Sequence, residues 1–495
     1  MNPIRRLTTA VALCSSMVGL AAPPPPSAFT VTPIKAVEYP LSCNALARPL
    51  VNKAWDLSFN SRIDDAREEF KLAVAADPKC VIARSYLGML TPGAEGKQMF
   101  DEALKDTTGL NEVERLDLQA MEAQRNADPE KAFTIAKQMV AVAPNVFIVN
   151  LAVAHYGEEL MRWDEVADAS KKATELMPGN GAGWNLLGYS KLETKHFDEA
   201  VEAFRRYVEI APGEPNAHDS LGDALLANNR LEDAAAEYQK ALDNSDGKFF
   251  YSYSGIATVR ALRGDWEGAR AAITSQKSAA MQPMDKIHTN KLTAWTWVAQ
   301  GKLGEALKVV DATQKEATAA KLEGAVLHAQ LLRGSLNLAA GKYTDALKAF
   351  TAAEKMKVNV LTPGQQKEFR GHVLIGLVEA QARLGKTAEA QKSLTSLKDY
   401  VRDNLTGPTA SDVMAFGNGL VALSKKDSKE AIDSLENCSE HFDYCRLTLA
   451  ETQEKAGMSA AAAETRAALI KVNHRDPMYW FVRAQLESKQ KMPGT

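Results

Sequence analysis

The feature that most restricts this chain is a period. Ala132, Val166, Ala200 and Ala234 stand 34 residues apart. Pro144, Pro178 and Pro212 keep the same step, as do Gly188 and Gly222, preceded in register by Ala120 and Ala154. Self-similarity at such a spacing marks an array of small supersecondary units that bury their apolar faces by stacking. A chain of 495 residues could otherwise hold three ordinary domains. The shared step favours one long array.

One unit is GWNLLGYSKLETKHFDEAVEAFRRYVEIAP, from Gly183 to Pro212. Trp184, Leu187 and Lys191 follow helical spacing, as do Ala200, Phe204 and Tyr207. The polar KHFDEA between them is a turn from which Asp198 could cap the second helix. Gly188 and Ala200 are small where two antiparallel helices cross closely, and Phe204 fills the space beside the crossing. A larger side chain there would cost about 1–3 kcal/mol as overpacking. Pro212 cannot continue the helix and ends the unit.

These residues resemble the tetratricopeptide repeat. Its W-x₂-L-G-x₂-Y, A-x₃-F and P pattern is met by Trp184, Leu187, Gly188, Ala200, Phe204 and Pro212. One unit later come Leu221, Gly222, Ala234, Tyr238 and Ala241. Lys191 and Leu225 stand where the family prefers Tyr, Tyr207 where it prefers Ala, and Asp246 where it prefers Pro. The resemblance implies an all-α fold, a right-handed α-α superhelical solenoid of helix hairpins with about eleven to twelve repeats. It covers most of residues 41–475 and is most regular over 113–246.

The ruler continues at looser spacing. Upstream it reads Ala66, Phe70, Ala73 and Pro78, after which TPGAEGKQMFDEALKDTTGL interrupts the register. Downstream from Ala234 it passes Ala269, Ala306, Ala346, Ala390, Ala431 and Ala462, in steps of 35, 37, 40, 44, 41 and 31. Such steps predict longer helices or loops in the second half. Residues 476–489 predict a capping helix, with Asp476 at the N-cap and Pro477 in its first position. Tyr479, Trp480 and Phe481 would cover the last unit's open face.

The first residues have a different composition. Arg5 and Arg6 precede the uncharged LTTAVALCSSMVGLAA, with Gly19 and Ala21 at a small-x-small exit. Residues 1–22 therefore read as a signal peptide, and 23–40 as a Pro-rich linker. Leu13 is bulky where a lipoprotein site at Cys14 wants a small residue. No segment of the mature chain is long and apolar enough to span a bilayer. The expected location is outside the cytoplasm, periplasmic or secreted. Cys43, Cys80, Cys438 and Cys445 remain after cleavage, an even count that suggests disulfides in an oxidising compartment. Cys43 and Cys80 begin adjacent units, while Cys438 and Cys445 flank one inter-helix turn.

Catalytic signatures are absent. The sequence contains no HExxH, CxxCH, GxSxG or GxxxxGK[ST], so neither a metal nor a cofactor is expected, and the chain reads as a non-enzyme. Cys438 beside His441 is a disulfide cysteine next to a surface histidine rather than an activated nucleophile. With 59 basic and 62 acidic residues, net charge −3, the chain lacks the electrostatic footprint of a nucleic-acid binder.

A solenoid of this kind offers its concave groove, lined by the first helix of each unit. The register places His155, Asn185, Tyr189, Asp219, Asp223, Tyr251, Lys291 and Trp295 there, a polar and aromatic mix suited to protein or peptide partners. The basic and Asn set of the family's two-carboxylate clamp is not found. The favoured function is an exported, non-catalytic scaffold that binds proteins or peptides. Alternatives are a repeat subunit supporting an envelope enzyme complex, or a self-associating structural component.

Overall fold

A computed structural model describes residues 35–490 apart from 60–61, 127, 281–282, 362 and 406. The signal-peptide reading lies outside the described residues. The chain divides into two compact units at Ser252 and Tyr253. Among the described residues the regular structure is 25 α-helices, joined mostly by short turns.

In the first unit the hairpins are α1 (Ala47–Phe59) with α2 (Ile63–Ala76) and α3 (Val81–Leu90) with α4 (Gly93–Ala103). Then come α5 (Glu112–Arg125) with α6 (Pro129–Val142), and α7 (Phe147–Glu159) with α8 (Trp163–Leu176). The last two are α9 (Gly181–Glu193) with α10 (Phe197–Ile210) and α11 (Pro215–Ala227) with α12 (Leu231–Asp243). Ser252 ends the first unit and opens α13 (Ser252–Leu262), the rest of which begins the second unit with α14 (Trp266–Ala279), followed by α15 (Pro283–Ala299) and α16 (Leu303–Ala319). It continues through α17 (Glu323–Ala339) and α18 (Tyr343–Glu354), then α19 (Pro363–Arg383) and α20 (Thr387–Asn404). Next come α21 (Gly407–Ser424) with α22 (Ser428–Leu435), α23 (Asp443–Lys455) with α24 (Ser459–Leu469), and a final helix α25 (Pro477–Gln490). Each unit is an α-α solenoid of stacked hairpins. Odd-numbered helices of successive hairpins touch, as α7 does α9 and α9 does α11, and as α15 does α17 and α17 does α19. They therefore line the inner face of each unit.

The small-residue ruler runs through the hairpin cores. Ala66, Ala132, Ala200, Ala234, Ala269, Ala306, Ala346, Ala390, Ala431 and Ala462 are all wholly buried, and Val166 nearly so. All lie on the second helix of a hairpin. A Cβ placed on Gly188 would sit 2.5 Å from the Phe204 ring, and one on Gly222 2.5 Å from the Tyr238 ring. The small residue on one helix thus makes room for an aromatic on the other.

Asp198 does not cap the second helix of its hairpin. The residue before α10 is His196, without a side-chain cap, and Asp198 sits inside the first turn, where a carboxylate favours the helix dipole. The preceding helix ends through a left-handed residue at one fixed place. Met161, Lys195, Asn229, Gly264, Gly301, Gly341, Gly385, Lys426 and Gly457 all have positive φ, each two residues beyond the first helix of its hairpin. The next amide then reaches back five residues, as from His196 N to Lys191 O and from Lys302 N to Trp297 O. This Schellman closure satisfies carbonyls that the helix end would otherwise leave unpaired.

The wide steps downstream come from helix length. The inner helices α15 and α17 have 17 residues each and α19 has 21, against 13 in α7, α9 and α11. The segment that broke the ruler after Pro78 is a short hairpin, not an interruption. A Cβ on Gly88 would lie 2.7 Å from the backbone nitrogen of Phe100, so α3 and α4 touch backbone to backbone. That closeness lets helices of 10 and 11 residues still bury a core around Phe100 and Leu118.

Both cysteine pairs are bonded: Cys43 with Cys80, Cα atoms 4.7 Å apart, and Cys438 with Cys445 at 6.4 Å. Helix α25 starts at Pro477, with Asp476 Oδ1 accepting from Met478 N at 2.8 Å. It packs with Leu447 of α23 and Leu469 of α24. It also reaches α15, with Phe481 at 6.1 Å from Trp295, and Trp480 enters the core of α13 and α14 beside Ala257 and Ile273. The helix therefore lies on the inner face of its unit and not only over its end.

Candidate functional site

Inner-face positions of the first unit are set by the same step of 34, which makes His155, Tyr189 and Asp223 one row on α7, α9 and α11. Each is the ninth residue of its helix, so the row crosses the C-terminal halves of the three inner helices. The N-terminal ends of α7 and α9 are covered by α1. Phe59 of α1 packs with the cluster of Phe147, Leu151 and Ala182, and Asn180 Nδ2 donates to Asp56 Oδ1 at 3.1 Å.

Two members of the row, Tyr189 and Asp223, are held by hydrogen bonds. Tyr189 OH donates to Asp223 Oδ2 at 3.3 Å, and Tyr238 OH donates to Asp223 Oδ1 at 2.7 Å from the hairpin's second helix. Ser220 Oγ donates to Asn185 Oδ1 at 3.0 Å, joining α11 to α9 one turn earlier. The Tyr189 ring meets Phe204 edge-on at 5.0 Å. His155 is exposed to solvent, with Gln124 of α5 at 3.2 Å from its Nε2. Protein crowding around it still disfavours the imidazolium and lowers its pKa. Asn185, Tyr189 and Asp223 are half-buried, so this face carries aromatic and polar surface in fixed positions.

Not every residue assigned to the groove belongs there. Asp219 is 3% exposed and accepts from Ser252 Oγ at 2.5 Å, so it is an internal tie and not a contact surface. Trp295 is 1% exposed in a core with Phe481. The repeat register placed it in the groove, but α25 packs against α15 there. Tyr251 is half-buried and packs its ring on Phe250 at 4.5 Å. Lys291 is half-buried on α15, where crowding lowers its pKa and Asp476 and Glu368 partly offset that.

A second constellation was missed. Asp117 on α5 is buried and accepts from Tyr39 OH at 2.9 Å and from Tyr86 OH at 3.3 Å. Burial raises its pKa to about 6, against the opposing pull of the two hydroxyls. Glu114, one turn earlier, accepts from Ser42 N at 2.7 Å and from Ser42 Oγ at 2.9 Å. The ruler carries the signal that could have found Asp117, since steps of 34 back from Asp219 pass Asn185 and Leu151 and arrive there. Nothing local in the sequence couples it to Tyr39.

The tetratricopeptide-repeat family model matches residues 162–215, 185–249 and 220–280. Residues 162–280 carry tetratricopeptide repeats. Solved structures similar to parts of this repeat array include MamA, as an RS-1 ArsTM double mutant. It is 18% identical, over 34% of this chain and 95% of that one, with a TM-score of 0.30. PilW, titled a widely conserved type IV pilus biogenesis factor, is 18% identical over 42% and 94%, with a TM-score of 0.34. A thermophilic TPR protein of Thermus thermophilus is 13% identical over 36% and 96%, with a TM-score of 0.32. No curated protein matches the chain. Among the described residues, no helix of the array is long and apolar enough to cross a membrane.

Proposed function

We propose that this tetratricopeptide-repeat chain is an exported, non-catalytic scaffold whose first unit captures a protein or peptide segment on the row His155, Tyr189 and Asp223. The observation that carries the reading is the hydrogen bond that fixes Tyr189 on Asp223 within that row. Tyr189 is held by Asp223 and by the Phe204 ring before any partner arrives. Side chains fixed in advance lose little entropy on binding, and a rigid aromatic is the commonest energetic anchor of an interface. Export is supported by the two disulfides, which persist outside the reducing cytosol.

The test is crosslinking capture from intact cell envelopes with the mature chain and with a His155→Ala/Tyr189→Ala variant. Neither substitution touches a ruler position, but Tyr189→Ala removes the edge-on contact with Phe204, so the variant should melt cooperatively at a somewhat lower temperature than the wild type and lose most of its capture. Undiminished capture by a folded variant would remove the row from the binding surface. Charge reversal at Asp219 would be a poor probe, because burying a lysine against Ser252 would disrupt packing.

A further inference from the structure

Residues 37–43 lie across the inner side of the first unit as an extended strap. From Glu38 onward its side chains alternate: Tyr39, Leu41 and Cys43 are buried, while Glu38, Pro40 and Ser42 are exposed, and Val37 ahead of them is exposed as well. An extended segment reads a surface in this way, with every second side chain entering a pocket and the main chain hydrogen-bonding beside them. The main chain does bond. Val37 N donates to Asn145 O at 2.8 Å, pairing in parallel with Val146, Pro40 O accepts from Asn111 Nδ2, and Ser42 N donates to Glu114. Tyr39 fills a slot made by three hairpins. Its ring meets Trp55 of α1 edge-on at 4.9 Å, Trp55 in turn meets Tyr86 of α3 at 5.6 Å, and its hydroxyl donates to Asp117 of α5.

We infer that the inner side of α1, α3 and α5 is a second peptide site, reading a tyrosine followed two residues later by an aliphatic side chain, and that the strap occupies it in cis. This rests on the reading that the inner face is the binding face. The ligand class is an extended peptide of Tyr-x-Leu pattern, and Val-Glu-Tyr-Pro-Leu-Ser of the strap is its intramolecular example. The Cys43–Cys80 bridge fixes one end of the strap, so the segment ahead of it can leave the slot while staying tethered. An arriving peptide therefore competes with a strap held at high local concentration.

The experiment uses the whole mature chain and a fluorescent peptide of residues 36–42, read by anisotropy. Tyr39→Ala empties the slot, and this variant should bind the peptide at least tenfold more tightly than the wild type does. Tyr39→Phe keeps the ring, loses the hydroxyl bond to Asp117, and should fall between the two. A peptide with alanine for its tyrosine should lose at least tenfold on the Tyr39→Ala chain. Equal affinity for wild type and variant, or no binding by a helical, cooperatively melting variant, overturns the inference. A Tyr39→Ala chain that does not fold also overturns it, because the strap would then be core. The anisotropy signal does not involve His155 or Tyr189, so failure here and failure of the capture test are separate results.

Discussion

Replacing Gly188 by alanine tests whether the small-and-aromatic pairing is what spaces the hairpins. The added Cβ would lie 2.5, 2.6 and 2.7 Å from Cε1, Cζ and Cδ1 of Phe204. Ordinary carbon contacts are about 3.5–4.0 Å, so about 1 Å must be found. The ring has nowhere to go: Phe204 is wholly buried, with Tyr189 edge-on at 5.0 Å. Overpacking of a core costs about 1–3 kcal/mol, and a ring held on all sides belongs in the upper half of that range. Alanine returns about 1 kcal/mol in a helix interior relative to glycine. The net expectation is a loss of about 1–2 kcal/mol, read from urea unfolding followed by helical circular dichroism. The control is Gly304→Ala on α16, where a Cβ meets nothing within 4 Å and only the propensity gain applies. Adding Phe204→Leu to the Gly188 variant should recover part of the loss, so the double-mutant cycle should show favourable coupling of about 1 kcal/mol. A Gly188→Ala chain as stable as the wild type, or a cycle without coupling, would refute the packing argument.

Other predictions concern the turns, the strap and the bridges. Lys195 has φ 64, a conformation that costs a non-glycine residue about 1–2 kcal/mol, so Lys195→Gly should raise the unfolding free energy, while Gly301→Ala at φ 73 should lower it by about 1 kcal/mol. Asp117 has a folded pKa of about 6 against about 4 unfolded, so the folded state binds the extra proton between those values. That contribution is complete below about pH 4 and is lost as pH rises through 6, up to about 3 kcal/mol. Asp117→Asn cannot titrate and should gain on the wild type by up to that amount between pH 4 and 7, whereas parallel pH curves would contradict the assignment. Thiol labelling of the denatured mature chain should find almost no free cysteine. Removing the Cys43–Cys80 bridge, which spans 37 residues, should cost about 4 kcal/mol in the chain-entropy account, and removing Cys438–Cys445, across 7, about 2.

The hairpins were legible because their determinants are local and repeat. A small residue every 34 positions, joined in some units by an aromatic four residues later, as Phe204 and Tyr238 are, and in three successive units by a closing proline, names both helices and their crossing. The same ruler, stretched to steps of 37–44, still landed on wholly buried alanines, because the longer helices keep the crossing near the same end. Two local signals were overlooked. The left-handed turn residue recurs as glycine in five of nine turns, but Met161, Lys195, Asn229 and Lys426 hide the pattern in the others. The short hairpin of α3 and α4 lacks the standard spacing because Gly88 and Gly96 replace the alanine crossing with backbone contact.

By itself, then, the sequence determined that the chain is built of antiparallel helix pairs, which small residues sit buried at the crossing of each pair, and which cysteines begin neighbouring hairpins. Only the tertiary structure decided which inward positions remain open. Tyr39 meets Asp117 across 78 residues, and Phe481 meets Trp295 across a longer stretch still. No periodic pattern encodes such pairings, because a segment outside the repeat has no register with it. A repeat specifies contacts between neighbours, where chain connectivity makes the partner unambiguous. A terminal segment chooses its place by the shape, charge and apolar area of a surface that exists only once the neighbours have stacked.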